Sequence, residues 1–503
     1  MKIESDFSVS PKVVAVFIFV FFIFSSLLLL FTKFAPFMDE AIYFDMTSRL
    51  MAGSKLSTTL FRDFIPSVEI KAFWYPPIYF YSLVPFFKVF GASILSMRIF
   101  SLLLALIILP CVFLISKKIT GWRWAGVLTM LFLILDHYFQ IASMVGRMEI
   151  LTIVLGVVSI VLHLHFLEQK RHLFNLLSGV LIALSCLTHP TGIIFAIPIG
   201  LNILFLNTTL KKKITGLLIL TTPSLVGISL WLISVSPDWN SFLLQNQLQM
   251  HRKEFSDIYV WRLLQFSPEQ RWVLLVYLIS NVAYLIRTVV TKRLSETKYR
   301  LLFFLTIIST TLAILLKEMW YVIYIPIFGA LTATDNIFWL WKKKQVLALV
   351  LLPILFLPNS FIYFRTLQES AINRSQYTPL SAKVSDALPL NSRVLLSSIP
   401  DPYFYLIKNR HDLDLRETPN SPPTEPIDKD VYNKILDETD YVVLSIAANI
   451  HLYEYYSENV ESVETIRTDS GGYSLQVIKL LPVNERKEFS PENAKFWTYP
   501  EPN

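Results

Sequence analysis

Cysteine is nearly absent from this sequence. Two occur in 503 residues, Cys111 and Cys186, each inside an apolar run. They offer neither a disulfide framework nor a thiolate metal cluster. Charge is scarce too: Asp, Glu, Lys and Arg make up 17% of the chain, against about 25% in soluble domains. The 14 glycines nowhere form a Gly-rich phosphate loop, so no nucleotide cradle of that kind is present. Residues 13–32 carry no charge and no small-residue cleavage site such as A-x-A, which separates them from a signal peptide.

What is present is apolar. Hydrophobic residues reach 53% and aromatics 14%. Residues 13–32 are long enough to cross a bilayer, which takes roughly 20 residues, and similar runs recur to about residue 365. This predicts a polytopic α-helical membrane protein. The net charge of +7 does not point to nucleic acid, because Lys and Arg cluster in short loops between apolar runs, as the positive-inside rule requires.

The predicted spans are 13–32, 94–115, 122–139, 150–167, two short spans within 172–207 broken at Thr188-His189-Pro190-Thr191-Gly192, then 214–234, 271–290, 301–316, 319–341 and 345–364. That gives eleven. Residues 235–270 read as a polar loop and Lys317-Glu318 as a very short turn. The basic clusters at 117–118, 170–171, 211–213, 292–300 and 342–344 all fall on one side. The rule then places the N-terminus in the cytoplasm, the long loop 33–93 outside, and everything after the eleventh span outside. Loop 33–93 is rich in aromatics, including Phe73-Trp74-Tyr75-Pro76-Pro77-Ile78-Tyr79-Phe80-Tyr81. It predicts an interfacial segment of short helices broken at prolines. Past residue 365 the apolar runs shrink to strand length at 394–396, 441–444 and 474–478, with a helix at 428–437 and a loop at 419–426. The expected division is a transmembrane domain, 1–365, and a small extracytoplasmic α/β domain, 366–503.

Asp39-Glu40 stands just past the first span. A carboxylate near hydrocarbon is costly unless it has a partner or a task. On the same outer layer fall Asp136, His137, Glu149 and Glu318, with the cations Arg98, Arg147, His189 and Lys317. Such a layer suits a reaction in which a base takes a proton while cations hold a phosphate leaving group. Each residue also has a plainer reading. Asp39 is a good N-cap, and Glu40 suits a solvated first turn. Arg98 can snorkel to headgroups, and Arg147 with Glu149 can be a structural pair at a turn. His189 can satisfy a carbonyl freed by Pro190, and Lys317-Glu318 can be a solvated turn. The run at 73–81 is an interfacial belt or a sugar platform. His163 and His165 face different ways on a helix and do not read as metal ligands. Acidic residues beside a phosphate leave a divalent metal open.

The ordered set Met38-Asp39-Glu40, Tyr75-Pro76-Pro77-Ile78-Tyr79, Phe90-Gly91-Ala92-Ser93 with Arg98, Gly146-Arg147-Met148-Glu149, Thr188-His189-Pro190-Thr191-Gly192 and Lys317 before Tyr321-Val322-Ile323-Tyr324-Ile325-Pro326 resembles the GT-C superfamily of membrane glycosyltransferases. The likeness is to the bacterial relatives of protein O-mannosyltransferases and of the lipid A aminoarabinose transferase, and it covers roughly residues 13–330. It implies inverting transfer of a sugar from a polyprenyl-phosphate donor to a lipid, glycan or protein acceptor. The reaction would occur on the outer face of a bacterial plasma membrane, with membrane lipids around it and no nucleic acid. By that resemblance Asp39 is the base or orients the acceptor, and Glu40 supports it. Arg98, Arg147, His189 and Lys317 grip the donor phosphate. Tyr75, Pro76, Pro77, Tyr79 and Glu149 are substrate-binding candidates. Relatives often carry Lys in place of His189 and Asp in place of Glu149. The competing reading is a transporter or flippase of lipid-linked sugars. That class places charges near the midplane and shows repeated halves, and this sequence shows neither.

Overall fold

The computed structural model describes residues 10–32, 36, 38–251, 268–315, 319–373, 377–418, 429–445, 458–468 and 473–487. Its helical part runs α1 (Pro11–Thr32), α2 (Met38–Met51), α3 (Ile78–Phe90), α4 (Ile94–Thr120), α5 (Ala125–Leu135), α6 (His137–Met144), α7 (Met148–Gln169), α8 (His172–Thr188), α9 (Ile193–Leu204), α10 (Leu210–Val235), α11 (Trp239–His251), α12 (Pro268–Val290), α13 (Thr297–Leu315), α14 (Tyr324–Lys343) and α15 (Gln345–Asn373).

Eight of the described helices are long and apolar enough to cross a membrane, or nine if the bent pair α5–α6 is one span. The chain is a multi-pass integral membrane protein. The other two of the eleven expected spans correspond to α8 and α9, with 17 and 12 residues, short of the roughly 20 that hydrocarbon demands. The α5–α6 bend of 71° sits at Asp136, whose Oδ1 accepts the Phe139 N–H at 2.7 Å and so restarts the helix as an N-cap.

The span containing α14 is 83% buried and forms the centre of the bundle, whereas the one containing α10 is 11% buried and lies at its edge. α8 and α10 cross closely at Gly179. A Cβ there would collide with the Leu220 carbonyl. Small residues permit such close approach between membrane helices. Gly179→Ala is expected to destabilise the protein by about 1–3 kcal/mol, the usual range for overpacking, read as a lowered midpoint in detergent thermal unfolding.

Basic helix ends gather on one face. Lys118, near the end of α4, pairs with Glu168 near the end of α7, and Lys298 of α13 donates to the Lys118 carbonyl at 3.0 Å. Arg98 and Glu149 stand near the opposite ends of α4 and α7. With 27 residues, α4 separates the two faces by about 40 Å.

Two expectations change in the structure. Residues 235–270 are not simply a loop: α11 extends the line of α10 to His251 through a short 3-10 turn. Gln245 of α11 explains why. Its fully buried amide accepts the Phe73 N–H at 2.7 Å and donates to the Pro66 and Lys71 carbonyls, so α11 braces the first loop. The eleventh expected span also continues past residue 364, since α15 reaches Asn373. The predicted loop at 419–426 lies outside the described residues.

The C-terminal region contains α16 (Tyr377–Ala387), β1 (Arg393–Ser397), α17 (Tyr403–Asn409), β2 (Asp414–Glu417), α18 (Lys429–Asp437), β3 (Tyr441–Leu444), β4 (Val460–Arg467) and β5 (Ser474–Leu480). The five strands form one sheet in the order β2-β1-β3-β5-β4. β1 pairs in parallel with β2 and β3, and β5 pairs antiparallel with β3 and β4. Val394, Leu395 and Leu396 are all buried, as expected for a central parallel strand covered on both faces. This sheet sits on the first loop. Arg62 pairs with Asp414, and Lys434 bonds Asp63 at 2.8 Å. Phe404 packs edge-on against Phe44 of α2, with ring centroids 5.3 Å apart.

Candidate active site

Asp39 and Glu40 open the first turn of α2, and their side chains diverge. Glu40 is fully buried. Its carboxylate takes a fork from Arg98, Nε at 2.8 Å and a terminal nitrogen at 2.5 Å, and the Gly146 N–H at 2.9 Å. Burying a charge is tolerable only with such pairing. Gly146 is needed for the approach, because a Cβ there would strike Met97, the neighbour of Arg98.

Asp39 keeps partial access, its side chain 20% exposed. It meets Arg147, which precedes α7. Arg147 also forks onto Glu149, at 2.6 and 3.1 Å, and lies 5.9 Å from the Tyr43 ring centroid. One guanidinium thus serves two carboxylates. With Asp39, Glu40 and Glu149 against Arg98 and Arg147, the cluster holds one carboxylate in excess before His189 is counted.

His189 caps the turn between α8 and α9. Its Nδ1 lies 2.7 Å from the Thr191 hydroxyl and 3.2 Å from the Thr191 N–H, and its Nε2 lies 3.4 Å from the Tyr321 hydroxyl. Thr191 in turn bonds Tyr324 at 2.6 Å. The aromatic loop closes the layer. Tyr75 packs edge-on against Tyr43 at 5.1 Å, Tyr79 and Phe80 at 5.8 Å. Pro76 is buried and Pro77 caps α3. Tyr79 is fully buried, and its hydroxyl has no hydrogen-bond partner among the described residues. It lies within electrostatic reach of Glu40 and Glu149.

The structure therefore gathers Asp39, Glu40, Arg98, Arg147, Glu149, His189, Tyr75 and Tyr79 into one layer. Lys317 and Glu318 lie outside the described residues. Among the described residues no group of three or more His, Cys, Asp or Glu is placed to hold a metal ion. His163 is buried and bonds Asn202 at 3.1 Å.

Residues 75–237, less than half of the chain, match the family model for dolichyl-phosphate-mannose-protein mannosyltransferase. No curated protein matches the sequence. ArnT from Cupriavidus metallidurans, solved with undecaprenyl phosphate, superposes with a TM-score of 0.55 at 12% identity, over 92% of this chain and 98% of that one. The archaeal oligosaccharyltransferase AglB from Archaeoglobus fulgidus, solved with an inhibitory peptide and a dolichol-phosphate, gives 0.54 at 12% identity, over 92% of this chain and 74% of that one. The chain has the GT-C fold.

Within this GT-C fold, three contributors to the layer were not singled out in the sequence. Tyr43 lies one helical turn after Asp39 and Glu40, a spacing that shares their face. Gly146 acts through its N–H, which no side-chain pattern signals. Tyr321 stood in a quoted motif, but its contact with His189 depends on tertiary packing.

Proposed function

We propose that this protein is an inverting glycosyltransferase that moves a sugar from a polyprenyl-phosphate donor to an extracytoplasmic lipid, glycan or protein acceptor. The observation that carries the reading is Asp39, the partly exposed carboxylate beside an arginine that also holds Glu149. The donor phosphate takes Arg147, with His189 and Arg98 completing its contacts. That releases Asp39 to accept the proton of the acceptor hydroxyl. The acceptor oxygen forms its bond to the anomeric carbon as the carbon–oxygen bond to phosphate breaks, and polyprenyl phosphate leaves with the electron pair. Displacement from the opposite face inverts the centre and needs no second carboxylate as nucleophile. Glu40 holds Arg98 and the Gly146 turn in place. Residues 1–365 supply the catalytic membrane domain and residues 366–503 an extracytoplasmic α/β domain. The location is a bacterial plasma membrane with the layer on its outer face, the basic helix ends facing the cytoplasm.

Proteoliposomes given a panel of polyprenyl-phosphate sugars, each radiolabelled on the sugar, test this. Label should leave the lipid and appear on acceptor, and Asp39→Asn should stop it. Label crossing the bilayer still attached to polyprenyl phosphate would favour a flippase instead. Tyr79 gives a separate check. An orphaned buried hydroxyl costs about 1–3 kcal/mol, so Tyr79→Phe should leave thermal stability unchanged or raised. If the hydroxyl serves the substrate, KM for the donor should rise in the same variant.

A further inference from the structure

We infer that Asp401 and Glu417 form a proton-sharing carboxyl pair that clasps the C-terminal sheet to the loop carrying α2. Both are buried, Asp401 at 0% and Glu417 at 1% exposure. Both also supply the backbone bonds that join the two regions. The Asp401 N–H donates to the Pro36 carbonyl, just before α2, at 2.8 Å, and the Glu417 N–H donates to the Leu60 carbonyl, beyond α2, at 2.9 Å. The clasp thus grips the chain on either side of Asp39-Glu40.

The side chains explain why a proton is required. Asp401 Oδ1 accepts the Tyr403 N–H at 2.9 Å. Its Oδ2 and Glu417 Oε1 are buried with no donor among the described residues, and the two acids lie within reach of a hydrogen bond to each other. Two carboxylates can make that bond only if one keeps its proton. Outside the pair, Glu40 acts on Asp401, and it too is negative. Tyr377 donates its hydroxyl to the Asp401 carbonyl at 2.9 Å and lies within electrostatic reach of Arg98. Tyr403 likewise faces Asp45 and Arg49. Among the described residues no cation acts on either acid. Burial pushes Asp401 up to about 6, and burial together with Asp401 raises Glu417 well above the usual carboxylate range; the two titrate as a unit. Because the folded values are raised, the stabilisation is present at low pH and is lost as pH rises through them. The clasp is fully closed below about pH 4, where an ordinary carboxyl is still protonated, and loosens as pH rises from there through the pair's raised values.

The inference rests on the structure and not on the proposed reaction. Hydrogen–deuterium exchange on the full-length protein in nanodiscs tests it. Protection of peptides spanning 393–418, corrected for intrinsic exchange, should be highest below about pH 4, where an ordinary carboxyl is still protonated. As pH rises from there through the pair's raised values it should fall by about tenfold per pH unit for each proton that the closed clasp holds and the opened one does not, and level off above them. Asp401→Asn, or Glu417→Gln should the first variant misfold, supplies a donor that does not titrate, and protection should then stay level with pH. A wild-type protein whose protection does not change with pH would overturn the inference. So would variants that keep the wild-type fall.

Discussion

Asp39→Asn is expected to cut sugar transfer about 10²–10⁴-fold, the range lost with a general base, while leaving the fold intact. The argument is one of elimination among three carboxylates. Glu40 is fully buried, with its oxygens taken by Arg98 and Gly146. Glu149 is buried and forked by Arg147. Asp39 alone combines partial exposure with a partner that a phosphate can compete for. Asparagine keeps the size and an oxygen for Arg147 but cannot take a proton. Initial rates with a radiolabelled polyprenyl-phosphate sugar, set beside thermal unfolding, separate chemistry from folding. Undiminished transfer would remove Asp39 as the base and turn attention to Glu149.

Much of this layer was legible in the sequence because span ends are legible. Apolar run length and basic clusters set where each helix starts and stops, and so put Asp39, Arg98, Arg147, Glu149 and His189 at one depth. Depth is a one-dimensional property, and hydropathy reports it. Partner choice is not. Glu40 looked like a solvated first-turn residue, yet it is the most enclosed carboxylate of the group, because Arg98, 58 residues away, reaches it in the packed bundle. The brace from Gln245 to the first loop was hidden for the same reason, since a glutamine after an apolar helix carries no signal of the backbone it will hold. In the C-terminal region the strands at 394–396, 441–444 and 474–478 were visible as buried apolar runs. β4 was not: Val460–Arg467 alternates polar residues along an exposed sheet edge and is largely exposed.

The buried Glu40–Arg98 pair carries the largest expected effect on stability. Arg98→Ala leaves a carboxylate with no solvent access and only the Gly146 N–H for compensation. Removing one partner of a buried pair costs about 3–5 kcal/mol, because the remaining charge is uncompensated. Arg98→Ala should therefore lower detergent thermal stability far more than a surface arginine such as Arg293, whose pair with Glu296 is exposed and worth at most about 1 kcal/mol. Glu40→Gln should be milder, since an amide still accepts from Arg98 and Gly146. The double variant Arg98→Met with Glu40→Gln discriminates further. If the pair is mainly a charge-balance device, the double variant should recover much of the stability lost by Arg98→Ala, with a coupling energy beyond 0.5 kcal/mol, the scale set by contacting residues. It should not recover transfer to the same extent, because Arg98 is also proposed to contact the donor phosphate and methionine cannot. Recovery of stability and transfer together would show instead that the ion pair contributes only to folding and that Arg98 takes no part in holding the donor.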